Sequence, residues 1–91
     1  MKKIFKYSFG TSSNLQTITM PEGAEILSVQ IQRGAVCVWV VVPNVEKALV
    51  ERHFAIFGTG QPINPDLKLC YVGTFQEGDF VWHVFEISAT Q

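Results

Sequence analysis

Residues 24–42, AEILSVQIQRGAVCVWVVV, decide the fold. Over residues 24–32 the side chains alternate, with Leu27, Val29 and Ile31 on one face and Ser28, Gln30 and Gln32 on the other, the period of two that marks a half-buried strand. Arg33-Gly34 follows as a two-residue turn, because glycine readily takes the positive φ that a tight hairpin needs. Residues 36–42 (VCVWVVV) then return antiparallel. Every residue of that run is apolar, so both of its faces need cover. A single open sheet cannot supply it; the strand belongs at the centre of a sandwich or barrel, with an oligomer interface as the second source of cover.

Working outward, the same period recurs. Residues 3–9 set Phe5, Tyr7 and Phe9 against Ile4, Lys6 and Ser8, and after the turn formers GTSSN a second strand covers residues 15–20, LQTITM. Pro21-Glu22-Gly23 breaks the chain. On the far side of Pro43-Asn44, residues 45–50 (VEKALV) are too few for a stable helix. Residues 49–57 read as a strand with Arg52, Phe54 and Ile56 opposed to Glu51, His53, Ala55 and Phe57. Residues 68–76 and 80–87 flank Glu77-Gly78-Asp79, read as a three-residue hairpin turn, and Ala89 to Gln91 as a frayed tail. The expectation is one all-β domain over residues 1–91: an antiparallel meander of about seven strands, forming a sandwich or partly open barrel.

Composition narrows the function classes. Hydrophobic residues are 47% and charged residues 16%, which leaves little polar side chain to cover a monomer of 91 residues and points to a homo-oligomer. Seven Lys and Arg against eight Asp and Glu give a net charge of −1, with neither a basic field for duplex nucleic acid nor the acidic excess of a DNA mimic. Cys37 and Cys70 lack metal-ligand spacing and read as two small buried apolar residues, so no metal or cofactor is implied. The start, MKKIFKYSFG, is positive but interrupted by Lys6 and Ser8 where a signal peptide continues apolar, and no run approaches the roughly 18 residues of a membrane span. A cytoplasmic protein is expected.

One loop stands out as a candidate site. Residues 58–67, GTGQPINPDL, hold two glycines whose N–H groups could face an anionic oxygen, two prolines that stiffen the chain, and the polar side chains Thr59, Gln61, Asn64 and Asp66. The spacing matches neither the Rossmann nor the Walker fingerprint, and Asn64-Pro65 can cap a single helical turn, so a rigid connector is the competing reading. An anionic ligand would recruit Gly60 of this loop together with Arg52 and Lys68 for charge and Trp82 as a stacking face. His83, between Trp82 and Val84, reads as a hydrogen-bonded core histidine, and no serine, cysteine or histidine has the setting of a nucleophile or its base, so no enzymatic chemistry is expected.

Four segments, IFKYSF, MPEGAEILSVQIQRGAVCVWVVV, FAIFGTGQPI and YVGTFQEGDFVWHVFE, together resemble a family of small bacteriophage and prophage proteins across almost the whole chain. The shared pattern is a KY near the start, MP-x-GA-x-IL-S-VQ, GTG-x-PI, and a hairpin ending in HVFE. The resemblance implies a phage accessory protein at work in the host cytoplasm and brings no catalytic residue. Small phage accessory proteins similar in size commonly act by stoichiometric binding, which is what the resemblance implies here. The expected function is a sponge that sequesters a nucleotide signal of host immunity, the alternatives being an inhibitor that binds a host defence or regulatory protein and a structural virion accessory protein.

Overall fold

Seven strands form in a computed structural model that describes residues 1–88. They are β1 (Lys3–Ser8), β2 (Leu15–Pro21), β3 (Glu25–Gln32), β4 (Ala35–Val42), β5 (Leu49–Gly58), β6 (Leu69–Glu77) and β7 (Phe80–Ile87). The all-β reading and the strand positions hold; the expected tail at Ala89–Gln91 lies outside the described residues. Among the described residues there is no helix long and apolar enough to cross a membrane.

The strands pair antiparallel into two sheets, a three-stranded one in the order β1-β4-β3 and a four-stranded one in the order β2-β5-β7-β6. This corrects the meander. Only β3–β4 and β6–β7 are hairpins between sequence neighbours; the other links either cross between sheets or, from β5 to β6, step over β7. β5 and β6 are both antiparallel to β7 and hence run parallel to each other, so the 59–68 connection must return along the whole length of the sheet. Two stacked sheets spaced by about 10 Å account for the slab of 40 × 37 × 20 Å.

β4 lies at the centre of its sheet, and its even residues Val38, Val40 and Val42 are fully buried against Phe54, Met20, Ile56 and Val84 of the other sheet. Complete burial of side chains of this size stabilises the fold by about 1.5–3 kcal/mol each. Its odd residues form the other face. Cys37, flanked by Ser8 and Gln30, is 1% exposed and Trp39 half-buried there, and Lys6 reaches from β1 to Gln32 of β3 (Nζ to Oε1, 2.7 Å) across the face.

Two turns and two bulges set the registers. The two-residue turn expected at Arg33-Gly34 is present, and Arg33 (φ 51°) joins Gly34 (φ 79°) in positive φ, a type I′ pattern. The second hairpin is tighter than expected, with Glu77 opposite Phe80 and only Gly78-Asp79 between them. In β3 a bulge between Ile26 and Ser28 interrupts the alternation: Ile26 packs on the core with Val29, while Leu27 is 48% and Ile31 36% exposed. The strand with the cleanest alternation therefore changes face partway along. A second bulge, between Tyr71 and Gly73 in β6, puts Val72 against the core. β3 and β6 are neighbouring edges of opposite sheets, and a Cβ at Gly73 would lie 2.6 Å from Val29 Cγ1. Only glycine fits that approach. Both cysteines are free, and Cys70 is exposed, which corrects its reading as a buried apolar residue.

Candidate binding surface

The expected site residues fall at two ends of the four-stranded sheet. Thr59, Gly60 and Gln61 follow β5 beside Trp82, since Gly58 is opposite Trp82. Arg52 lies six residues earlier on β5, about 20 Å away at strand rise, and Lys68 sits at the same end as Arg52, its carbonyl accepting the Ser88 N–H (2.9 Å). Asn64 and Asp66 lie on the connection between. One chain does not bring the two cations to the glycine turn.

The loop's polar groups bond one another. Gln61 Oε1 accepts the Gly58 N–H (2.9 Å), Gly58 C=O accepts the Gln61 N–H (3.0 Å), and the Thr59 N–H goes to Val81 C=O (3.1 Å). Asn64 Oδ1 accepts the Asp66 N–H (2.9 Å) and its carbonyl the Leu67 N–H (3.1 Å), so Asn64 caps one isolated turn. Gly60 turns the chain at φ 88°. Thr59, Asp79, Phe80 and Trp82 border a small open hollow of about 330 Å³ at this end, and Trp82 packs on the core.

Arg52 shares the inner face with Phe54 and Ile56, as the alternation indicated, and its head lies at the open end of the sandwich. There Nε and Nη2 engage Glu86 of β7 (Nη2 to Oε1, 2.8 Å) and Nη1 donates to Ala24 C=O (2.6 Å). The hydrogen bond to Glu86 raises the guanidinium above its ordinary range, with charge attraction adding and burial opposing. Glu86 is Arg52's built-in anion. Together with Gln16, Glu51, Cys70 and Ser88 the pair lines an open depression of about 770 Å³.

The outer face of the four-stranded sheet has a different character. Its register aligns Leu15, Ala55, Phe85 and Tyr71 in one apolar row across all four strands, with Thr17, His53, Ile87 and Leu69 in the next. Leu15 is 67% and Tyr71 60% exposed. Phe85 meets Phe57 and Tyr71 edge-on, with ring centroids 5.9 and 5.6 Å apart. Beside this row runs a hydrogen-bonded chain: Tyr71 hydroxyl to Thr74 Oγ1 (2.6 Å), Thr74 Oγ1 to His83 Nδ1 (3.1 Å), and His83 Nε2 to Thr59 Oγ1 (2.9 Å). His83 is hydrogen-bonded as expected, but it stands half-buried on this outer face and not in the core. Outside the core, the sequence signal for the face was present, as outward apolar residues at Leu15, Phe57, Tyr71 and Phe85, but naming the row required the strand order.

The class that emerges is a small β-sandwich with a rigid frame, one preformed apolar face and, among the described residues, no group of three His, Cys, Asp or Glu side chains placed to hold a metal. Residues 1–91 match the profile of DUF7352, a domain of unknown function, and the chain belongs to that family. No curated protein and no solved structure matches it.

Proposed function

We propose that this protein acts by stoichiometric binding of another protein through the outer face of its four-stranded sheet, without chemistry of its own. The observation that carries this is the Leu15–Ala55–Phe85–Tyr71 row: apolar from edge to edge, held rigid by the ladder beneath it, and exposed at both ends. Interfaces place aromatic anchors of this kind at their centre. The resemblance to small phage proteins makes a host protein the partner of choice. Sequestration of a nucleotide has weaker support, because Arg52 is already neutralised by Glu86 and Lys68 stands far from the glycine turn. It would need a second chain to complete the site.

The test uses purified protein and any host protein it recovers at saturable one-to-one stoichiometry. Leu15→Glu with Tyr71→Glu should lower that affinity at least tenfold and leave the melting temperature within a few degrees, since both side chains are exposed. Equal binding by the variant overturns the reading. So does a small phosphorylated molecule that native mass spectrometry shows released on unfolding and that Lys68→Ala fails to retain.

A further inference from the structure

β2 is the free edge of the four-stranded sheet, and its backbone groups can be accounted for one by one. The Asn14 carbonyl accepts from Ile56, and the Glu22 N–H donates to Ala48, so with an unbroken register the even residues of β2 point their N–H and C=O groups at β5. The odd residues point outward. Of these, the Leu15 N–H is taken by Ser13 Oγ (3.0 Å), Pro21 has no N–H, and the Pro21 carbonyl accepts the Ala24 N–H (3.2 Å). What is left without a partner among the described residues is the Leu15 carbonyl at one end and, in the centre, the N–H and C=O of Thr17 and of Thr19.

We infer that a second copy of this chain pairs with β2, antiparallel about a two-fold axis at Ile18. In that register Thr17 faces Thr19 of the other copy, and each such pair exchanges two hydrogen bonds, so the four groups of Thr17 and Thr19 on each strand are all satisfied, while the Leu15 carbonyl at the strand end, opposite a proline without an N–H, stays open to solvent. The side chains agree. Residues 15–21 carry no charge, and Asn14 and not a second acid meets Glu22, so no like charges oppose one another. On the outer face Leu15 is brought beside Pro21 of the other copy, and Pro21 is itself opposite Leu49. The apolar row then continues as Tyr71, Phe85, Ala55, Leu15 and on to the partner copy's own proline and leucine. Leu15 and Leu49, 67% and 66% exposed in one chain, then lie in a single row on either side of the buried proline. The other three edges lack these properties: β1 carries Lys3 and Lys6, and β3 and β6 bulge and meet each other. The result is a continuous eight-stranded sheet, and the inference is independent of what binds its face.

Light scattering and sedimentation on the intact chain test it. A mass of about twice 10.2 kDa at high micromolar concentration is expected. Thr19→Pro deletes one outward N–H without touching the β5 ladder, and edge strands accept proline at such positions. It should weaken dimerisation at least tenfold with an unchanged circular dichroism spectrum. Should proline at this position unfold the chain, Thr17→Lys keeps the backbone and sets a charge at the two-fold, and it should weaken the dimer likewise. Amide exchange at Thr17 and Thr19 should slow as concentration rises, while that at Ile18 does not change. A monomer at millimolar concentration, a dimer indifferent to Thr17→Lys, or exchange at Thr17 and Thr19 independent of concentration overturns the inference.

Discussion

The two long sides of the sandwich manage their edges in opposite ways. Where β3 and β6 meet, both strands bulge, Gly73 lets the backbones close to contact, and Val29 and Val72 seal the seam with apolar side chains. On the other side β1 and β2 end in solvent, β1 guarded by lysines and β2 bare of charge over residues 15–21. Packing has made one side part of the core; the other depends on charge, or its absence, to choose what may pair there. Stability should therefore be concentrated on the closed side and association on the open one.

The severest way to break that contrast is Gly73→Ala. Its new Cβ would fall 2.6 Å from Val29 Cγ1 and 3.6 Å from the Val29 backbone nitrogen, so the seam must spread, at a cost of about 1–3 kcal/mol. Urea denaturation measures it. Val29→Ala in the same chain removes the clashing methyl, and the double variant should lose clearly less than the sum of the two singles. Additive losses would mean that the sides do not differ as described.

A smaller loss is expected at the end of the sandwich, where residues 22–24 carry the chain from β2 on the open side to β3 on the closed one. Arg52 holds this link through Ala24 C=O while bound to Glu86, both side chains being about four-fifths buried. Arg52→Met leaves the carboxylate and the carbonyl without their donor and should cost about 1–2 kcal/mol, the residual exposure moderating the penalty. Removing both charges, with Glu86→Leu added, should recover part of the loss, because the isolated carboxylate is what destabilises the single variant. A double variant weaker than the single would refute that reasoning.

Which of these features the sequence disclosed follows from how local each one is. Strand positions came from alternation and turn residues, which are local, and all seven were legible to within a residue or two. The inward direction of Arg52 could be read from its spacing to Phe54 and Ile56, but its partner Glu86 is 34 residues away and needed the β5–β7 pairing. The bulge in β3 was invisible because AEILSVQIQ alternates without it, yet it is Ile26 and not Leu27 that packs on the core. The glycine loop attracted notice through its composition, whereas the apolar row lay dispersed over four strands whose order no local pattern records. Site residues chosen by type, cations above all, fell at opposite ends for the same reason.

On the open side the lysines of β1 can be tested directly. Lys3→Thr with Lys6→Thr should change stability by no more than about 0.5–1 kcal/mol, the larger figure if the Lys6–Gln32 bond over β4 counts fully. Its effect should be on association: an edge stripped of charge becomes a second pairing site, and light scattering should show species larger than those of the unmodified chain. Unchanged scattering would mean that β1 is blunted by something other than its lysines.

The smallest effect concerns Tyr7, on the same edge strand, whose phenol burial holds above its ordinary value near 10. Burial disfavours the phenolate, so the folded chain binds this proton more tightly than the unfolded one. The resulting stability is fully present below about pH 10 and is lost as the pH rises through the folded-state value. The contribution is read as a difference between two chains that differ only at this residue. Tyr7→Phe keeps the ring, which packs beside Phe5 at 6.4 Å, and removes the ionisation. Its melting temperature should fall less steeply between pH 9.5 and 11 than that of the unmodified chain. Parallel curves would show that the β1 edge opens before Tyr7 ionises, and would put the open side lower still in stability relative to the seam at Gly73.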